Sequence, residues 1–323
     1  MRGWSLLYAE RPLAAKRCQQ VHFVAVQLRV SSMFSGSIVA LITPFQANAS
    51  VDYDALARIV DLHAASGTQG IVVGGTTGES ATLTTEEHAQ LIERSVRLAD
   101  GRMQVIAGTG SNSTAQTLNL SRAAEIDGVD GLLLVVPYYN KPPQRGMVAH
   151  FTAIADTVDK PIMLYNVPGR TVADLSPESV AELAQHERIV AIKDATGDLD
   201  RLAAQQVVCP DDFKFLSGDD FTSCEFMLRG GHGVVSVTAN VAPALMAELC
   251  TLARAGDRKQ ARVIDARLAA LNEAMFLESN PIPVKWAMQH LGYGDGSIRP
   301  PLARLHKRHQ DAVITSLKNA DLI

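Results

Sequence analysis

Apolar residues along this chain alternate between two patterns. Short, nearly unbroken apolar runs recur at 36–42, 70–73, 103–107, 131–136, 161–164, 188–192, 213–216 and 233–237. Runs rich in Val, Ile and Leu with no polar face suit strands covered on both sides, as in a parallel sheet. Between them, apolar positions repeat every three or four residues and predict helices over 52–66, 84–98, 113–126, 144–157, 177–186, 199–208 and 221–229. Gly67 closes the first as a C-terminal cap, and Thr84-Thr85-Glu86-Glu87 opens the second as a capping box. Eight strand–helix units match an α/β fold of the closed (β/α)₈ TIM barrel type better than an open, doubly wound sheet. No GxGxxG follows the first strand, which weighs against dinucleotide binding. After 237 the pattern is helical only, over 243–255, 258–277, 283–291 and 301–318. This exceeds what the last barrel unit needs. The reading is therefore a catalytic barrel over 33–240 and a helical C-terminal appendage over 241–323.

Residues 1–32 differ in character. They carry Arg2, Arg11, Lys16, Arg17 and Arg29 against one acid, Glu10, without the apolar core and small-residue cleavage site of a secretory signal. They read as a transit peptide or, preferably, as an extension upstream of a natural start at Met33.

Composition narrows the function. The chain has 323 residues, 47% of them hydrophobic, enough for one large core. A net charge of −4, from 30 basic and 34 acidic residues, leaves no basic face for nucleic acid. Cys18, Cys209, Cys224 and Cys250 lack CxxC spacing and read as reduced, buried thiols of a cytoplasmic protein. The histidines form no HxxxH or HExxH pattern, so no metal is expected, and no apolar run is long enough to span a bilayer.

In a TIM barrel the active site lies where the carboxyl ends of the strands converge. Those positions here are Thr43, Thr76-Thr77, Gly108-Thr109-Gly110, Tyr138-Tyr139, Tyr165-Asn166, Lys193, Gly218-Asp219 and Ser236 to Thr238. The set holds one lysine, three tyrosines and several hydroxyls, with no histidine and no carboxylate pair. It suits amine–carbonyl chemistry and suits glycoside or metal-assisted hydrolysis poorly. Lys193, at the end of 188–192, has two readings. It snorkels to water or pairs with Asp194, or it is a neutral amine that attacks a carbonyl to form a Schiff base. The glycine-rich loop 74–80 is either a tight turn or an anion site whose N–H groups receive a carboxylate. Arg170, in a loop after Pro168-Gly169, is a solvated charge or a bidentate carboxylate clamp.

The segments Gly75-Thr76-Thr77-Gly78-Glu79, Tyr165-Asn166-Val167-Pro168 and Ile192-Lys193-Asp194-Ala195-Thr196-Gly197 resemble signatures of the pyruvate-dependent class I aldolases, typified by dihydrodipicolinate synthase and N-acetylneuraminate lyase. Thr76-Thr77, Pro137-Tyr138-Tyr139-Asn140, Arg170, Gly218-Asp219-Asp220 and 231–236 resemble the synthase family more than the lyase or the keto-deoxy-sugar-acid aldolases. The resemblance runs from about Phe34 to the C-terminal helices. It implies condensation of pyruvate with aspartate semialdehyde to 4-hydroxy-tetrahydrodipicolinate, in lysine (diaminopimelate) biosynthesis. It implies no cofactor beyond an imine on Lys193. Tyr165 would be the proton donor and acceptor. Thr76 would link Tyr165 to Tyr139 in a relay, with Tyr139 reaching in from a neighbouring subunit of a homotetramer. Thr77 would hold the pyruvate carboxylate, Arg170 that of the semialdehyde, and Gly218 and Val235 would complete the substrate site. In lysine-inhibited members an allosteric pocket is matched here by Ser80, Ala81, His88, Asn112 and Tyr138. Thr85 stands where a histidine is common, and Gln116 where a glutamate is, so inhibition by lysine is expected to be weak or absent.

Overall fold

In the computed structural model, which describes residues 33–323, eight parallel strands close into a barrel in chain order. They are β1 Gly36–Ala40, β2 Gly70–Val73, β3 Gln104–Gly108, β4 Gly131–Val135, β5 Ile162–Asn166, β6 Ile189–Asp194, β7 Lys214–Ser217 and β8 Gly233–Ser236. All eight runs anticipated from the apolar pattern are strands. The reading of residues 1–32 lies outside the described residues.

Closure depends on two glycines. Gly36 of β1 pairs with Gly233 of β8, and a Cβ on Gly233 would lie 2.3 Å from the Gly36 carbonyl oxygen. Below this seam, Phe34 is fully buried against Gly131, where a Cβ would lie 2.4 Å from the phenyl ring.

The helices follow from their amphipathic stripes and their caps. α1 (Tyr53–Ala65) buries Leu56, Ile59, Val60 and His63, and Gly67 beyond its end takes φ +78°. α2 (Thr85–Ala99) has the anticipated capping box: Thr84 Oγ1 accepts from Glu87 N at 3.2 Å, and Glu87 Oε2 accepts from Thr84 N at 3.0 Å. Next come α3 Thr114–Ala123, α4 Gln144–Ala155, α5 Pro168–Thr171, α6 Pro177–Leu183, α7 Leu199–Val208 and α8 Ser223–Leu228. The structure departs from the sequence reading at α5. Arg170 sits on a four-residue helix, not in a loop, because Pro168 at its first position presets the helical φ.

α9 (Pro243–Arg254) packs on β1 and β8, as the eighth barrel helix would. α10 (Arg258–Ala274), α11 (Ile282–His290) and α12 (Lys307–Asn319) form the remaining C-terminal layer. The anticipated helix over 301–318 starts later, at Lys307, because Pro300 and Pro301 occupy the preceding stretch and His306 supplies the cap. Residues 34–323 make one compact unit. Cys209, Cys224 and Cys250 are buried and free, and Cys18 lies outside the described residues. Among the described residues no helix is long and apolar enough to cross a membrane, and no three His, Cys, Asp or Glu side chains group as a metal site.

Candidate active site

Strand alternation sorts the side chains at the ends of β5 and β6. Leu164 and Ile192 belong to the apolar core shared with the helices, so their neighbours Tyr165 and Lys193 face the barrel interior. Tyr165 and Lys193 are register partners, and Lys193 Nζ lies 4.1 Å from the centroid of the Tyr165 ring. Both are buried, at 7% and 5% exposure. β6 continues through Lys193 to Asp194, two residues beyond the apolar run that marked it in the sequence.

Asp194 is not the partner of Lys193. It points to the opposite face, where Arg201 Nε donates to its Oδ2 at 3.0 Å and Thr196 donates twice to its Oδ1. Arg201 also bonds Asp174 and the Leu175 carbonyl, and the Asn166 amide bonds Asp174. This girdle outside β5 and β6 fixes the two strand ends, and with them the inward pair. Among the described residues no carboxylate forms an ion pair with Lys193. Gly218 makes room for the lysine: a Cβ there would lie 2.8 Å from Lys193 Cε and 2.7 Å from Ala195 Cβ. Val235 is a buried residue of β8, two strands away, in register with Ile38.

The loop after β2 supplies the threonines. Thr43 Oγ1 donates to the Gly78 carbonyl at 2.7 Å, and the N–H groups of Glu79 and Ser80 are spent on the Thr76 and Gly75 carbonyls. Only a three-residue 3-10 turn, Ser80–Thr82, follows, so the loop does not present a helix N-terminus as the sequence suggested. The N–H groups of Thr76 and Thr77, by contrast, donate to nothing among the described residues, which leaves them for a carboxylate. Thr77 is buried, and its Oγ1 accepts from Asn280 Nδ2 at 2.9 Å.

Thr76 and Arg170 share a cavity of about 320 Å³ with Tyr138, Val135, Val167 and Asn280. Val135 is the register partner of Tyr165, and Val167 lies two residues beyond it, so this cavity adjoins the inward pair. Arg170 Nη2 donates to the Asn280 carbonyl at 2.9 Å. The tyrosine–threonine relay is not assembled within one chain. No hydrogen bond among the described residues joins Thr76, Tyr139 and Tyr165, and Tyr139 is 88% exposed at a loop tip with φ +74°.

A second cavity, of about 190 Å³, brings together Ser80, Ala81, His88, Gln116 and Tyr138, with Thr85 beside them. Its lining contains no carboxylate. His88 Nε2 lies 2.9 Å from the Gly108 carbonyl, and burial lowers the His88 pKa. Gly74 leaves space for that ring, since a Cβ there would lie 2.7 Å from Nε2. Gln116 Oε1 accepts from Ser111 Oγ. Asn112 is not in the lining; its carbonyl accepts from Asn140 of the Tyr139 tip. Ser80, Ala81 and Tyr138 line both cavities.

The sequence reading passed over a buried charge cluster behind this shared wall. Lys285 of α11 pairs with Glu79, both almost completely buried. Glu79 also accepts from Arg299 N at 3.0 Å, and the Arg299 guanidinium bonds both oxygens of Glu87. Burial pushes the Lys285 ammonium below its ordinary value against the pull of Glu79, while Arg299 holds the Glu87 carboxyl down to about 2. The signal was a lysine set within Ile282-Pro283-Val284-Lys285-Trp286-Ala287-Met288, where an unpaired charge would be costly.

The dihydrodipicolinate synthetase family matches residues 33–320 of the chain. A 4-hydroxy-tetrahydrodipicolinate synthase of Pseudoalteromonas atlantica is 50% identical over 90% of this chain and 100% of its own length. The crystal structure of a chloride-inhibited dihydrodipicolinate synthase from Acinetobacter baumannii, complexed with pyruvate, is 46% identical. It superposes with a TM-score of 0.89 over 90% of this chain and 100% of that one. A dihydrodipicolinate synthase of Cyanidioschyzon merolae with lysine bound is 38% identical, with a TM-score of 0.87 over 90% and 99%. With its closed parallel barrel and a buried lysine beside a tyrosine at the strand ends, the chain belongs to the dihydrodipicolinate synthetase family.

Proposed function

We propose that this protein is a 4-hydroxy-tetrahydrodipicolinate synthase, a lyase of lysine and diaminopimelate biosynthesis acting on pyruvate and aspartate semialdehyde in the cytoplasm. The observation that carries the reading is Lys193, buried against Tyr165 with no carboxylate among the described residues to hold its amine in an ion pair. The family relationship supports it across the whole barrel.

In this reading Lys193 Nζ adds to the pyruvate carbonyl, and the carbinolamine loses water to give an imine. Tyr165 passes the protons of addition and dehydration. The free N–H of Thr77 and its hydroxyl hold the pyruvate carboxylate. Loss of a methyl proton gives an enamine, whose carbon attacks the aldehyde of the second substrate, while Arg170 holds that substrate's carboxylate. The substrate's own amine then displaces Lys193 and closes the ring. No metal or organic cofactor takes part. Thr76 connects Tyr165 to Tyr139 of a neighbouring subunit. The exposed, left-handed Tyr139 tip supports an assembly of at least two chains, and we assign a homotetramer.

Borohydride with pyruvate is expected to leave a reduced adduct on Lys193 in peptide mass mapping. Lys193→Ala should lose at least about 10³-fold in kcat/KM, ~4 kcal/mol of transition-state stabilisation. A coupled assay with pyruvate and aspartate semialdehyde, run beside N-acetylneuraminate cleavage, identifies the second substrate. An unlabelled Lys193, or an alanine variant of normal rate, refutes the mechanism.

A further inference from the structure

Glu79 closes the turn that carries the two threonines of the site. Its N–H donates to the Thr76 carbonyl at 3.1 Å, which puts Thr77 and Gly78 at the two corners of the turn. The N–H groups of Thr76 and Thr77, which donate to nothing among the described residues, take their direction from it. The turn requires Glu79 to adopt φ +56° and ψ +38°, a left-handed conformation that an L residue keeps only where its surroundings fix it. Here the side chain does so. Its Oε1 accepts from Lys285 Nζ and its Oε2 from Arg299 N at 3.0 Å. Glu79 lines the cavity with Thr76 and Arg170 while its side chain is fully buried, so its main chain forms the wall and its carboxylate lies behind it.

The donors are themselves held. Lys285 Nζ lies 4.1 Å and the Arg299 guanidinium 4.3 Å from the centroid of the Phe45 ring, which is buried. Arg299 also bonds the Ala49 and Thr82 carbonyls and Glu87. The Glu79 carboxylate thus anchors the loop after β2 to the C-terminal layer, two residues beyond Thr77. Desolvation offsets much of the attraction in a buried ion pair, so such a pair argues for one fixed geometry more than for stability. We propose that Glu79 and Lys285 are positioning residues for the pyruvate carboxylate, acting through Thr76 and Thr77: their pair holds Glu79 left-handed and so keeps the two N–H groups aimed at the site. This assignment rests on the function proposed above.

Neither side chain hydrogen-bonds Thr76, Thr77, Arg170, Tyr165 or Lys193, so substituting them removes no contact to the substrate site. Lys285→Met alone would leave a bare carboxylate behind an anion site. The informative protein is therefore the double variant, Glu79→Gln with Lys285→Met, which keeps the side-chain volumes and strands no charge. It is compared with wild type in urea unfolding, in kcat, in KM for pyruvate and for aspartate semialdehyde, and in the pyruvate concentration that half-saturates borohydride trapping. The double variant is expected to need about 10-fold more pyruvate in both KM and trapping. Its kcat and its KM for aspartate semialdehyde should stay within about threefold of wild type. Its urea midpoint should lie close to that of wild type, which separates position from stability. A pyruvate KM within about twofold of wild type, an equal rise for both substrates, or a rise found only with a lowered urea midpoint would overturn the assignment in favour of a structural pair. Wild-type protein that borohydride and pyruvate leave unlabelled at Lys193 would instead overturn the proposed function, and this inference with it.

Discussion

Lysines 193 and 285 are both buried, and their surroundings give them opposite uses. Lys285 meets the Glu79 carboxylate in a closed pair. Both ammonium nitrogens lie 4.1 Å from a ring centroid, Phe45 for Lys285 and Tyr165 for Lys193, but Lys193 has the bare Cα of Gly218 beside it and no carboxylate partner among the described residues. Removing one partner of a buried pair strands the other charge, so Lys285→Met is expected to lose about 3–5 kcal/mol in urea unfolding. Glu79→Gln combined with Lys285→Met should recover most of that loss; an additive double variant would show that the two do not act as a pair. Gln116 offers a residue-scale test of regulation. The cavity that holds it has no carboxylate, so lysine should inhibit the enzyme weakly or not at all. Gln116→Glu should strengthen inhibition by restoring an opposite charge. Sub-millimolar inhibition of the wild type in a lysine titration contradicts this.

At the scale of elements, the helices end where their caps were legible. Thr84 and Glu87 close their box, and Gly67 takes the left-handed conformation that lets the chain turn. Strand ends were less legible. β5 and β6 run on to Asn166 and Asp194 because outward-facing polar groups there find partners in Asp174, Thr196 and Arg201, contacts that no local pattern announces. The tip after β4 is the other element with a consequence. Tyr139 is held at positive φ and exposed, a conformation an L residue adopts at a cost of about 1–3 kcal/mol. Sedimentation at assay concentration should find at least a dimer. Tyr139→Phe should lower kcat by about 10²-fold, the scale of a lost proton-transfer group. A fully active monomer would exclude a contribution in trans.

For the whole molecule, burial of neutral imidazoles sets an acid limit. Desolvation lowers the pKa values of His63, His150 and His232 to about 4, against about 6.5 in an unfolded chain. Between those values the unfolded chain binds more protons than the folded one. Stability from this source is therefore complete above about pH 6.5 and falls as pH drops towards 4, by up to ~1.4 kcal/mol per pH unit for each of the buried His63 and His150 and by less for the half-buried His232, which water screens. Urea midpoints at pH 7, 5.5 and 4.5 should decline in that order, and substituting His63 by a neutral isostere should flatten the decline. A flat profile would mean that these imidazoles are already protonated in the fold.

Sequence alone determined the barrel, because a doubly covered strand and a one-sided helix impose different apolar periods that short-range reading detects. It also put a lysine and tyrosines among the groups at the strand ends, from which amine–carbonyl chemistry centred on Lys193 and Tyr165 is an expectation. Only the tertiary structure decided which groups meet. Asp194 stands beside Lys193 in the chain yet turns to Arg201, because adjacent strand residues face opposite sides. Asn280 and Lys285 lie 203 and 206 residues from Thr77 and Glu79, yet reach them in the loop after β2, because the C-terminal layer folds over the open end of the barrel. Contacts at that separation follow from how the elements pack, and packing is not written in any local pattern.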